Sequence, residues 1–342
     1  MQIAVFGAGS IGCYLGGCLA ARGATVHFIG RPKVKEAIER RGLTLTDWQG
    51  RKDQVFIDDI NFYTSPEGLY AADIIFVTVK GTGTQEAATS IKQHAKKSAL
   101  IVSFQNGIRN GQLLKDSLPG RDVLTGMVPF NVINDNNSHF HCGTEGKLCL
   151  ETLHGKEKCV ADTLTKAGFS VELKDDMTEI QWGKLLLNLN NSINALAGIP
   201  LLDELQDRNY RRVLAGSISE ALAVMAAEGI TPQRLGKLVP TLIPKVLNLP
   251  TWLFQIVARA MLTIDPKAKS SMQEDLTLGR MTEVDLLNGE IILLAQKHGM
   301  QVPINEKITA LIKDAEKAAN GSPKITGKSL WDAVSAQKSA LP

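Results

Sequence analysis

Apolar and polar positions follow two rhythms along this 342-residue chain. Short, nearly unbroken apolar runs come first: Gln2–Phe6, Thr25–Ile29, Asp73–Val79, Ala99–Phe104 and Asp122–Val128. Their length and β-branched content predict strands covered on both faces. Helical patterns lie between them. One carries Ile11, Leu15 and Leu19 and closes at Gly23; others span 33–41 and 85–94. Alternating strands and helices predict an α/β fold with a parallel sheet. Leu43–Thr46 and Val55–Ile60 read as short strands of an edge excursion. From Pro129 to Thr152 the pattern becomes alternating and turn-rich, then a helix over Lys156–Ala167 and a strand over Ser170–Leu173 follow. Beyond Asp176 the pattern is helical throughout, with helices over Asp207–Glu228, 282–298 and Asn305–Ala319. The tail after Leu330 reads as loose, with Trp331 its docking residue. The boundary is placed so that one domain covers 1–176 and a helical domain 177–342.

The stretch Trp182–Pro200 is the most unusual. Its leucines predict a buried helix, yet Lys184, Asn188 and Ser192 recur at i, i+4 and i+8. At about 3.6 residues per turn they form one polar stripe. A lysine on a mostly buried helix is costly unless it is paired or put to use.

Composition narrows the function. Hydrophobic residues are 44% and charged residues 21%, ordinary for a globular protein. A formal charge of +3, with no basic run interleaved with aromatics, argues against nucleic acid. No apolar run reaches membrane-spanning length. The N-terminal apolar run reads as a strand, not a signal peptide. The five cysteines are odd in number and lack CxxC spacing, so they read as free thiols in a reducing compartment, and the cytoplasm is the expected location. His139, His141 and Cys142 fall close together but lack a second ligand pair, so no metal is expected.

The chemistry begins at Gly7-Ala8-Gly9-Ser10-Ile11-Gly12, a GxGxxG that directly follows a strand and opens a helix. In that context the glycines permit a tight turn and close approach to a pyrophosphate, and the helix N-terminus favours its charge. At the end of the second strand an acid would bond the ribose of NAD. This chain reads Gly30-Arg31-Pro32-Lys33, which suits the 2′-phosphate of NADP(H). Lys80 and Asn106 follow later strands and so stand at the carboxyl edge of the sheet, where ligands bind. Ser271-Met272-Gln273-Glu274 has capping-box spacing, and Glu283 stands in the first turn of a helix.

Taken in order, GAGSIG, Val79-Lys80, Gln105-Asn106-Gly107, KLLLN at Lys184–Asn188 and the run Ser270–Gly289 resemble the ketopantoate reductase family (2-dehydropantoate 2-reductases) over nearly the whole chain. The resemblance implies an N-terminal Rossmann domain followed by an all-α domain of the 6-phosphogluconate dehydrogenase type. It implies an NADP-dependent oxidoreductase that reduces a 2-oxo acid, ketopantoate to pantoate on the route to pantothenate and coenzyme A. The family's proton donor falls on Lys184, and its Glu near both cofactor and substrate on Glu283. Its substrate contacts fall on Asn106, Asn188, Ser192 and Ser271. Its cofactor contacts fall on Gly7, Ala8, Gly9, Ser10, Ile11, Gly12, Arg31, Lys80, Asn106 and Glu283. Ser192 departs from a family pattern that has asparagine there, which leaves the substrate open. Other readings are a reductase of another oxo acid and a non-catalytic NADP-binding sensor. The sensor has no need of Lys184 and Glu283. The apolar stretch 239–265 reads as extra core or as a contact in a homodimer; a sharper reading has Trp252 and Phe254 lining the substrate site.

Overall fold

The structure is a computed structural model, and it describes residues 1–134, 138–234, 239–259 and 268–339. It divides into two compact units, Met1–Met177 and Thr178–Pro342.

The first unit runs β1 (Gln2–Phe6), α1 (Ser10–Ala20), β2 (Thr25–Ile29), α2 (Pro32–Arg41), β3 (Leu43–Asp47), β4 (Lys52–Val55), β5 (Asn61–Tyr63), β6 (Ile74–Val77), α3 (Thr84–His94), β7 (Leu100–Ser103), α4 (Asn110–Ser117), β8 (Val123–Met127), β9 (Val132–Asn134), β10 (His139–Cys142), β11 (Leu148–Glu151), α5 (Glu157–Lys166) and β12 (Val171–Lys174). Among the described residues, eight strands form one sheet in the order β12-β11-β8-β7-β6-β1-β2-β5. It is parallel except where β11 meets β8. Successive residues alternate between two cores. Ile3, Val5, Phe76 and Val102 pack on one face; Ala4, Ile75, Val77 and Ile101 pack on the other. Helices on both faces explain why β6, β7 and β8 are buried at every position.

A second sheet, β4-β3-β10-β9, corrects the expected edge excursion. The hairpin turns at Gly50 (φ +99°), and its register pairs Thr46 with Lys52 and Leu43 with Val55. The strand expected over 55–60 therefore ends at Val55, where its partner begins. A short 3-10 turn over Ile57–Asp59 follows. Thr46 sits beside His139 and His141, 93 and 95 residues along the chain.

The second unit is helical: α6 (Thr178–Asn188), α7 (Asn190–Ala197), α8 (Leu201–Gln206), α9 (Arg208–Glu228), α10 (Ile243–Leu247), α11 (Thr251–Val257), α12 (Ser271–Thr277), α13 (Asn288–Lys297), α14 (Pro303–Ala318) and α15 (Gly327–Ser339). Asp207 caps α9 by accepting the Asn209 N–H at 2.8 Å, and Gly229 ends it at φ +79°. Among the described residues, no helix is long and apolar enough to cross a membrane.

Several expectations change here. The tail is a helix, α15, whose Leu330 and Val334 are fully buried. The Arg212 guanidinium lies 3.8 Å from the Trp331 ring centroid. The helix expected over 282–298 starts as a 3-10 turn over Val284–Leu286, and α13 begins only after Leu287 (φ −118°, ψ −89°) breaks the backbone. Phe254, offered as a wall of the substrate site, is enclosed within the helical unit. It is fully buried beneath the Arg211 guanidinium, 4.3 Å from the ring centroid, while Trp252 is 65% exposed. The end of the apolar stretch, 260–265, lies outside the described residues.

Arg211 explains how that stretch is attached. Its fully buried guanidinium donates to the carbonyls of Leu205, Gln206, Leu247 and Leu249 and to the Thr251 hydroxyl. These acceptors include the ends of α8 and α10, where helix carbonyls lack intrahelical donors.

Candidate functional site

In the first unit the carboxyl ends of four parallel strands are aligned. Phe6 pairs with Ile29 on one side and Val77 on the other, and Val77 pairs with Ser103. The loops leaving this line carry Gly7–Gly12, Arg31, Lys80 and Asn106, so all the predicted cofactor residues of this unit share one edge. From β1 the chain proceeds to β2 on one flank and later to β6 on the other, the switch point where such sheets bind ligands.

The glycine loop is tight. Gly7 sits at φ +113°, and a Cβ there would lie 2.4 Å from the Val79 nitrogen. A Cβ on Gly12 would lie 2.3 Å from the Gly7 oxygen. The Gly7 and Ala8 amides donate to the Ile29 carbonyl at 3.0 and 2.9 Å, which binds the turn to β2. Gly9 occupies the N-cap of α1 with no side-chain cap, so the helix end presents the first-turn N–H groups, Ser10, Ile11 and Gly12, together with its positive dipole end. A tight turn that only glycine permits at positions 7 and 12, leading into an uncapped helix end, fits a pyrophosphate.

Arg31 is exposed at the N-cap of α2, whose first turn carries Pro32 and no acid. Lys80 is exposed just before the turn Gly81–Gly83. Asn106 is partly buried, and its carbonyl accepts the Asn110 side-chain amide at 2.5 Å. Gln105 was not foreseen. Its buried amide donates to the Val79 carbonyl at 3.1 Å and to the Thr84 hydroxyl at 2.7 Å, tying the Lys80 loop to the Asn106 loop. Its place within Gln105-Asn106-Gly107 was the available signal.

On the second sheet the Thr46 hydroxyl lies 2.7 Å from both His139 Nε2 and His141 Nδ1. Cys142 is buried in the core on the opposite face, as strand alternation requires, so the three residues do not converge. Among the described residues, no group of three or more His, Cys, Asp or Glu is placed to hold a metal ion.

In the second unit Lys184 lies on α6, partly buried. Burial pushes its ammonium down to about 8, and the Glu283 carboxylate opposes that shift. The two predicted catalytic residues are thus brought within electrostatic reach. Asn188, partly buried, ends α6 one turn on. Ser192 corrects the polar stripe. The helix is interrupted at Leu189, and Ser192 on α7 is fully buried. Its hydroxyl donates to Asn288 Oδ1 at 2.5 Å, and the Asn288 amide donates to Asn305 at 3.0 Å. The Ser192 hydroxyl is therefore held in the interior of the helical unit, committed to Asn288. The stripe passes from partly exposed to buried, which spacing along one helix cannot reveal.

The serine pair is also displaced by one. Ser270 caps α12 by accepting the Gln273 N–H at 3.1 Å. Ser271, expected as the cap, is exposed at the first helical residue and points no hydroxyl into the cap. Ser270 staples α12 to α7: its N–H donates to Asn194 Oδ1 at 2.9 Å and its hydroxyl to the Asn191 carbonyl at 3.1 Å. Asn194 in turn donates to buried Glu204 at 2.7 Å. Burial raises the Glu204 carboxyl to about 8, against the hydrogen bonds from Asn194 and Asn190. Glu204 went unnoticed in the sequence; the asparagines that follow Asn188 were its signal.

The sequence family described as ketopantoate reductase PanE/ApbA matches residues 3–155, and its C-terminal counterpart matches 176–316. The chain belongs to the ketopantoate reductase family. A 2-dehydropantoate 2-reductase of Archaeoglobus fulgidus is 24% identical over 92% of this chain and 98% of its own length. The Pyrococcus horikoshii protein of that name is 27% identical over 94% of this chain and its full length. Among solved structures, a ketopantoate reductase of Ralstonia eutropha superposes with a TM-score of 0.78 at 30% identity, covering 93% of this chain and 99% of that one. D-mandelate dehydrogenase with NADH and anilino(oxo)acetate shares the fold, with a TM-score of 0.76 at 20% identity over 94% and 100% of the two chains. The ketopantoate reductase family is one of oxidoreductases with a Rossmann-like α/β domain and a helical C-terminal domain, the architecture found here. Its named relatives make oxo-acid reduction the activity of the family.

Proposed function

We propose that this chain reduces a 2-oxo acid with NADPH, and that 2-dehydropantoate is the substrate, giving pantoate for pantothenate and coenzyme A. The observation that carries this reading is a partly buried lysine set among the buried residues of α6 within electrostatic reach of Glu283, where burial lowers its pKa to about 8. When bound, the reduced nicotinamide supplies the hydride. The chain supplies the rest. The Gly7–Gly12 cradle and the α1 N-terminus hold the pyrophosphate, and Arg31 at the acid-free start of α2 favours a 2′-phosphate. Lys80 and Asn106 extend the same edge. Lys184, as ammonium, donates a hydrogen bond to the carbonyl oxygen and then its proton to the alkoxide. Glu283 supports that positive charge. Asn188, Asn106 and Ser271 offer neutral hydrogen bonds to orient the acid. A sensor without turnover would gain nothing from a partly buried ammonium within electrostatic reach of a carboxylate.

A second reading, a bulkier 2-oxo acid, is favoured by Ser192, whose short side chain is drawn inward to Asn288. We also propose a cytoplasmic protein acting as a homodimer; a Staphylococcus aureus ketopantoate reductase with this fold is described as dimeric. The test is a panel of 2-oxo acids of increasing side-chain size with NADPH and with NADH, followed by nicotinamide absorbance. Ketopantoate should give the highest kcat/KM. No turnover with any 2-oxo acid would defeat the proposal, and a peak at an aromatic acid would favour the second reading.

A further inference from the structure

The backbone around Glu283 is pinned from α14. Glu316 Oε1 accepts the Thr282 N–H at 2.8 Å and the Thr282 hydroxyl at 2.6 Å. The same hydroxyl accepts the Val284 N–H at 3.2 Å. Lys313, one turn before Glu316, is hydrogen-bonded to Asp285 and lies 3.7 Å from Glu316 Oε2. Residues 282, 284 and 285 are thus each fixed, and Glu283 sits inside the bracket.

This segment needs such a brace. It is no regular helix: a 3-10 turn leads into the break at Leu287. Thr282 and the Glu316 carboxylate are each 3% exposed, so their contact is shielded from water, where a charge-assisted hydrogen bond is strong. The charged groups around the bracket are Asp285 on the segment, Lys313 and Glu316 on α14, and buried Glu290 on α13.

We propose that Glu316 and Lys313 are positioning residues, which fix the 282–285 turn so that the Glu283 carboxylate stays beside the Lys184 ammonium. The proposal rests on the reading of Lys184 as proton donor. An ion pair that merely closed off α14 would stabilise the fold and leave Lys184 unaffected. A positioning role reaches Lys184 through Glu283, whose negative charge supports the ammonium against burial.

The experiment compares Glu316→Ala, Thr282→Val and Glu283→Gln in the full chain. Lys184 is titrated directly, by the pH dependence of its acylation with an acid anhydride, read on its peptide by mass spectrometry. The basic limb of kcat/KM is measured alongside. Glu316→Ala and Thr282→Val should each move the Lys184 titration to lower pH by about half a unit to one unit, the direction expected from a weakened neighbouring charge. Glu283→Gln should shift it the same way, and adding Glu316→Ala to it should shift it no further. The loss should fall on kcat more than on KM. A lowered Tm with the Lys184 titration unmoved would overturn the proposal, and Thr282→Val decides between the two outcomes if Glu316→Ala does not fold. A moved titration with an unmoved pH–rate profile would overturn Lys184 as proton donor while supporting the bracket.

Discussion

A lysine that releases its proton near pH 8 splits the pH range in two. As proton donor, Lys184 must be charged. Turnover should therefore hold level below about 8 and fall roughly tenfold per unit above it. Lys184→Ala should lose about 3–5 kcal/mol of transition-state stabilisation, read as kcat/KM, with NADPH affinity nearly unchanged. Stability should run the other way. The folded-state pKa lies below the unfolded value of 10.5, so the unfolded chain holds more protons between the two, and stability rises with pH from about 8 to 10.5. Lys184→Met, of similar size, should raise Tm at pH 7 and lose that advantage toward pH 10.5. Arg31 carries the second prediction at this scale. Arg31→Ala should raise KM for NADPH about tenfold or more while leaving NADH nearly unchanged, the contrast expected if the exposed guanidinium at that helix start pairs with a 2′-phosphate that NADH lacks. Equal effects would remove Arg31 from the 2′-phosphate site. Lys184 was legible because a cation within a leucine run violates the cost of burial. The burial of Ser192 was not legible because Asn288, which takes its hydroxyl, is 96 residues away. Ser270 and Ser271 show a smaller ambiguity: a capping motif places the cap to within one residue, and the two serines face different surroundings.

At the scale of elements, the apolar stretch after Val239 is an attachment built on one guanidinium. Arg211→Met should remove the donors for two buried and two partly buried carbonyls and lower stability by about 3 kcal/mol or more, measured by urea unfolding. An unchanged midpoint would mean those carbonyls find other partners. Trp252→Ala, by contrast, alters a side chain that is 65% exposed. It should leave the ranking of 2-oxo acids by kcat/KM unchanged; a changed ranking would restore Trp252 to the substrate site. The helix starts and stops of α9 were readable from Asp207 and Gly229 because capping is local chemistry. The 3-10 turn before α13 and the helical form of α15 were not, although Trp331 was legible as a docking residue: the partners, Glu316 for the turn and Arg212 for Trp331, come from distant helices.

For the whole molecule, the alternation of buried runs and amphipathic helices was enough to give the α/β class and the parallel sheet, since a strand covered on both faces has no polar positions to spare. Pairing order is a different kind of information. Nothing in Leu43–Asp47 announces that its second neighbour will be His139–Cys142. That pairing has a consequence for how the chain is made. A nascent β3 can close its hairpin with β4 at once, but its other edge waits until β10 has left the ribosome, after most of the large sheet's strands have already emerged. Closing so long a loop is slow and is rewarded late. The small sheet should therefore assemble after the rate-limiting step. Phe140→Ala should speed unfolding several-fold in stopped-flow denaturant jumps and barely slow refolding. A refolding arm slowed as much as the unfolding arm is quickened would instead make β10 part of the nucleus, and would mean that the chain must be nearly half synthesised before its first domain can begin to fold.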